Sequence, residues 1–146
     1  MSRMEWLKTV FLAVLASIGG AAVQALGGWD VPLQVLVAFL TVDYLTGLLL
    51  AGLFHRSPKT AGGALSSAAG FRGLLKKCAV LLMVFLAVLL DQAVGGGFVR
   101  GAVCFFFIAN EGLSILENLG RMGVPYPAFL RDMLEALRRE NEKGGQ

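Results

Sequence analysis

Four apolar runs dominate the chain, at about Trp6–Leu26, Val31–Phe54, Leu74–Val94 and Phe98–Leu119. Each is close to the ~20 residues that an α-helix needs to cross the hydrocarbon core of a bilayer. Inside lipid every backbone N–H and C=O must be satisfied within the segment, so runs of this kind fold as helices. The expected fold class is therefore an all-α integral membrane protein. It has about four transmembrane helices, or three if the first segment does not span, and a C-terminal amphipathic cytoplasmic helix. Composition agrees: 56% of residues are hydrophobic and only 16% charged, against about a quarter charged in soluble domains.

The links divide the chain. "GGWD" (Gly27 to Asp30) and "GGG" (Gly95 to Gly97) read as tight hairpins. The longer link, "HRSPKTAGGALSSAAGFRG", is rich in Gly, Ala and Ser, and reads either as a loop or as a segment lying on the inner membrane surface. Residues 1–124 form the expected membrane domain, and 125–146 the cytoplasmic tail. The first run has a basic start and a "VQA" resembling a signal-peptide cleavage site, but its apolar stretch is long for a signal.

Net charge is +3 and the isoelectric point is near 9.1. The basic residues sit at the ends of apolar runs, which speaks for membrane topology and lipid headgroups and against nucleic acid. Arg3 and Lys8 flank the start. Arg56, Lys59, Arg72, Lys76 and Lys77 lie between the second and third spans, and Arg121, Arg131, Arg138, Arg139 and Lys143 follow the fourth. Only Arg100 falls on the other side. The positive-inside rule then puts both termini and the middle link in the cytoplasm. Four spans require the same parity.

Cys78 and Cys104 are expected as small buried hydrophobes at different depths, with no disulfide between them. No metal-ligand spacing is present, and no cofactor is expected. The tail "YPAFLRDMLEALRRENEKGGQ" places Phe129, Leu130, Met133, Leu134 and Leu137 at helical spacing between charges. This amphipathic helix is expected on the membrane surface or against a neighbour's copy of itself.

The fourth span breaks its own pattern in "IANEGLSILENL". At about 100° per residue, Asn110, Glu111, Ser114, Glu117, Asn118 and Arg121 share an arc of about 120°. That stripe must face other helices or water. Asp43, in "VDYLTG", lies roughly 18 Å into the second span at 1.5 Å per residue, and Glu111 lies at similar depth. No Lys or Arg is expected at that level, so each carboxyl needs a proton, water, or hydrogen bonds from Thr46, Asn110 or Ser114. Structural glue, pore lining and proton-coupled transport all remain open for this pair. Asp91 reads as an outer-interface charge. Glu117 reads as an inner one within reach of Arg72, Lys76, Lys77 or Arg121. Small residues four apart, Ala13/Ser17/Ala21, Ala16/Gly20 and Asp43/Gly47/Ala51, mark faces where helices approach closely.

Nothing points to an enzyme. His55 is the only histidine, it sits in a link, and no nucleophile has a base nearby in sequence.

"VDYLTG", the "SS…G" link ending in "GLLKK", Asp91, and "NEGLSILENLGRMGVPYP" together resemble the phage-lysis and toxin-secretion holin family. The resemblance runs from about the second span to Leu130. Its most specific part is Glu111, Ser114, Ile115, Glu117 and Asn118, followed by Gly123, Pro125 and Pro127. It implies a protein that oligomerises in the bacterial inner membrane and at a set time forms lesions, through which an endolysin or a secreted toxin leaves. Asp43, Gly47, Lys77, Asp91, Glu111, Ser114, Glu117 and Asn118 match the family pattern. On this reading the polar stripe packs against Asp43 and Thr46 within the chain, or in small oligomers, while the protein is sparse, and faces a shared wet interior when it is dense. A small proton-coupled exporter, and a scaffold recruiting a soluble partner through its tail, are the competing classes.

Overall fold

The computed structural model describes residues 2–143, all helix and connecting turns: α1 (Arg3–Ala25), α2 (Val31–Gly52), α3 (Ser67–Val94), α4 (Val99–Arg121) and α5 (Ala128–Lys143). The end of the expected charged tail, residues 144–146, lies outside the described residues. The helices α1 to α4 are each long and apolar enough to cross a membrane, so the chain is the all-α membrane protein with a C-terminal helix that its apolar runs imply.

Local chemistry sets the boundaries. Ser2 and Glu5 form a reciprocal capping box at the start of α1. Asp30 caps α2 by accepting from the Leu33 N–H at 3.2 Å, with Pro32 in the first turn. Ser66 caps α3. That cap corrects the reading of the long link: residues 67–73 are the first two turns of α3, and the loop stops at Ser66. Gly70 and Gly73 lie against Tyr44, whose hydroxyl donates to the Gly70 carbonyl at 3.3 Å. The link α3–α4 turns at Gly95, which ends α3 in the left-handed conformation at φ 75°. Phe98 offers no side-chain cap to α4. Asp91 supplies it instead, accepting from the N–H groups of Val99 at 3.0 Å and Arg100 at 2.9 Å. The expected outer-interface charge is thus a cap for the next helix.

The core lies between α2, α3 and α4: Leu36 and Leu40 meet Val80, Val84, Cys104 and Ile108. Cys104 is fully buried but Cys78 is exposed, against the expectation that both would be interior. No residue of α1 is buried. Its row of Ala16 and Gly20 meets nothing in this chain, whereas Gly47 and Ala51 face the bundle.

A clamp holds the end of α1 to the bundle. The Arg100 guanidinium donates to the carbonyls of Leu26 at 2.6 Å and Gly28 at 3.2 Å, and to both carboxylate oxygens of Asp30 at 2.7 and 2.9 Å. Gly27, at φ 90°, is required there, because a Cβ would lie 2.4 Å from Arg100 Nε.

α5 folds back antiparallel along α4. Leu134 is buried against Leu113 and Leu116, with Tyr126 and Leu130 alongside. Its apolar face is covered by its own chain, where the sequence pointed to the membrane surface or a second copy. Gly112 makes the contact possible: a Cβ there would lie 2.9 Å from Leu134 Cδ1.

The clamp makes the α1–α2 hairpin acid-sensitive. Its hydrogen bonds to Arg100 hold the Asp30 carboxyl below the usual carboxylate range, against the opposing effect of burial. A depressed folded value contributes stability at neutral pH that is lost as pH falls through it. In a Trp6→Phe background, Trp29 emission should therefore shift as pH drops below about 4. Asp30→Asn should show the acid-form emission already at neutral pH. An unchanged acid transition in Asp30→Asn would contradict the clamp's role.

Candidate functional site

The buried polar residues converge where α2, α3 and α4 meet. Asp43 is 4% exposed, Glu111 6% and Asn118 9%. Between the two carboxylates lies the ammonium of Lys77, which donates to Asp43 Oδ2 and to Glu111 Oε2. One helix contributes the cation and two others an anion each. The expectation that no basic residue reaches this depth is therefore wrong. It followed from starting the third span at Leu74. With α3 beginning at Ser67, Lys77 stands nearly three turns inside the helix, and its long stem carries the charge to the carboxylates.

Asn118 extends the network. Its amide donates to Thr46 Oγ1 at 3.0 Å, to Asp43 Oδ1 at 3.3 Å and to the Asp43 carbonyl at 3.4 Å. The Thr46 hydroxyl donates back to the carbonyls of Val42 and Asp43. Gly47 lies beside this amide, where a Cβ would make only an ordinary contact with Asn118 Nδ2 at 3.9 Å. Ser114 borders the same cluster. A cleft of about 260 Å³ runs past it, lined by Asp43, Tyr44, Lys77, Glu111 and Ser114 and by loop residues Ser57 to Thr60. The charges therefore lie at the wall of a cleft that reaches the basic loop.

The stripe of α4 divides in two. Glu111 and Asn118 turn toward α2 and α3, the exposed Glu117 turns toward α5, and Asn110 and Ser114 line both the cleft and the groove beneath α5. Arg72, Lys76 and Arg121 are exposed and take no part in the network. The Arg121 carbonyl accepts from Arg56 at 3.2 Å, which finishes the end of α4. Beyond Lys77, the residue that sequence reasoning missed is Arg100. Its isolation on the side opposite the other basic residues was the available signal. Among the described residues, no group of three potential ligands is placed to hold a metal ion.

Residues 20–139 match the bacteriophage holin family. The chain belongs to that family. Its relatives include a probable holin of Bacillus phage phi105, 31% identical over 112 residues, which span 76% of this chain and 77% of the phage protein. An uncharacterized protein of Clostridium perfringens is 38% identical over 117 residues, 79% of this chain and 81% of its own length. One of Halalkalibacterium halodurans is 35% identical over 147 residues, 96% of this chain and 100% of its own. No solved structure matches. Holins are membrane-permeabilising proteins and not enzymes, and this one is a multi-pass protein of the bacterial inner membrane. The family match takes in the whole polar network and most of α5, but it begins only near the end of α1.

Removing Lys77 leaves two carboxylates facing each other without a cation. Breaking a buried ion pair from one side costs roughly 3–5 kcal/mol. Lys77→Met should therefore lower the thermal unfolding midpoint in detergent strongly. Adding Asp43→Asn and Glu111→Gln to it should recover most of the loss, because no unpaired charge is left. If the triple variant were as unstable as the single one, charge pairing would not be what Lys77 supplies.

Proposed function

We propose that this holin accumulates in the inner membrane as a closed chain, oligomerises, and at a set time permeabilises the membrane to release an endolysin or another protein cargo. The observation that carries the reading is the satisfied polar core. Asp43, Lys77, Glu111, Thr46 and Asn118 find their partners inside one chain. A chain so satisfied can insert and build up without leaking, since its costly groups are not offered to lipid. The unpartnered α1, with its small-residue rows at Ala13/Ser17/Ala21 and Ala16/Gly20, supports contacts between copies. The clustering of basic residues supports an orientation with both termini in the cytoplasm and the Arg100–Asp30 clamp outside.

The test is inducible expression in a bacterium, following membrane potential, growth and release of a cytosolic reporter enzyme together. The expected result is a delay, then sudden depolarisation with reporter release. Depolarisation without release would reduce the activity to a small channel and remove the cargo. Normal growth with an intact potential would overturn the proposal and turn attention to Asp43 and Glu111 as transport-site carboxyls.

A further inference from the structure

α5 lies at a depth that its composition does not suit. A Cβ on Gly112 would lie 2.9 Å from Leu134 Cδ1 and 3.1 Å from Phe39 Cε2. Leu134 is therefore level with Phe39, close to the middle of α2. Because α5 runs antiparallel to α4, residues beyond Leu134 continue toward the hairpin end. Arg138 lines the same groove as Asn110, which is itself at the middle of α4. A helix of 16 residues, with Arg131, Asp132, Glu135, Arg138, Arg139 and Glu140 among them, thus stands beside a membrane span over much of its length.

Lipid cannot cover such a face. An ionised side chain covered by lipid at mid-membrane is strongly unfavourable. The α4 surface that meets α5 packs Leu113 and Leu116 on Leu134, and polar residues flank that contact. Asn110, Ser114 and Glu117 join Arg131, Glu135 and Arg138 around a groove of about 270 Å³. The Nε of Arg138 is buried and has no hydrogen-bond acceptor among the described residues, a donor that calls for water. The charges in the groove balance, two arginines against two glutamates.

We propose that this α4–α5 face, and not the Asp43–Lys77–Glu111 network, lines the aqueous path of the open lesion, with the C-terminal helix forming part of the wall. The proposal rests on the permeabilising function proposed above. It assigns the two polar faces of α4 different tasks. The inner face holds three helices together, and the outer face, roofed by α5, meets water.

The experiment uses the full chain carrying Cys78→Ala, with the buried Cys104 left in place as background. Single cysteines are added as Asn110→Cys, Glu117→Cys or Glu135→Cys. Leu82→Cys, on the exposed apolar side of α3, is the lipid-facing control. A membrane-impermeant charged maleimide is applied before and after depolarisation. Labelling of Asn110→Cys and Glu117→Cys should rise from background to near completion once the reporter is released, while Leu82→Cys stays at background. A short bifunctional thiol reagent should then join Asn110→Cys to Glu135→Cys within one chain. Permeabilisation with Asn110→Cys and Glu117→Cys both unlabelled would overturn this proposal and leave the holin function standing. Labelling in inverted vesicles that still hold a potential would show a static cytoplasmic crevice, and would overturn it as well. Labelling without the cross-link would remove α5 from the wall. A wild-type chain that never permeabilises would overturn both proposals.

Discussion

The structure depends on one ammonium group held between two carboxylates at the level where a membrane protein can least tolerate charge. Lys77 comes from α3, Asp43 from α2 and Glu111 from α4. Any of the three alone in hydrocarbon would be strongly unfavourable. Together they offset one another, and Asn118 and Thr46 satisfy the remaining carboxylate oxygen and backbone carbonyl at Asp43. Van der Waals contact between apolar helices in lipid sets no unique register, because lipid tails pack on the same surfaces. A three-centre ionic contact does. It fixes α2, α3 and α4 in rotation and in height. The apolar contacts around Leu36, Val84 and Cys104 then close toward the hairpin end. The formal charge of the three groups is −1, and the cleft beside them leads toward the basic loop. The surplus anion therefore stands near water and near positive charge.

Much of this was legible in the sequence, and the exceptions have physical causes. Apolar run length gave the spans, and the "GGWD" and "GGG" links marked two of the turns between them. The depth of Asp43 and Glu111 followed from counting 1.5 Å per residue. The partner of those carboxyls was missed because "SSAAGFRG" has a loop's composition. Ser66 instead caps α3 there and Tyr44 packs against Gly70 and Gly73, and such a tertiary contact leaves no local mark. Moving the start of α3 back to Ser67 is what turns Lys77 from an interfacial charge into a buried one. The α4 stripe was visible as an arc, but a helical projection gives angles and not neighbours. It could not show that Glu111 and Asn118 look one way and Glu117 the other, with Asn110 and Ser114 bordering both sides. Likewise the amphipathic tail announced an apolar face without naming its cover, which Gly112 supplies by letting Leu134 approach.

The hairpin end shows how an exception to a charge rule acquires meaning. On the orientation proposed above, Arg100 stands alone on the side that the positive-inside rule keeps poor in basic residues. It donates to two carbonyls and a carboxylate of the α1–α2 turn, so its charge is neutralised locally by Asp30. Asp91 answers the N–H groups at the start of α4, Arg100's own among them. Two acidic residues and one basic residue thereby join both hairpins. α1, which buries nothing along its length, is held to the bundle at this end. The rest of α1 is free to meet lipid or another copy.

The two polar faces of α4 put opposite demands on the surroundings. The face toward α2 and α3 is complete within one chain and asks nothing of the environment. The face toward α5 carries two arginines against two glutamates, and among the described residues the buried Nε of Arg138 has no acceptor, so it is completed only by water. On the two proposals made above, assembly around a hydrated interior brings that water, which ties the exposure of this face to the packing of copies and leaves the network of Asp43, Lys77 and Glu111 to hold each copy together.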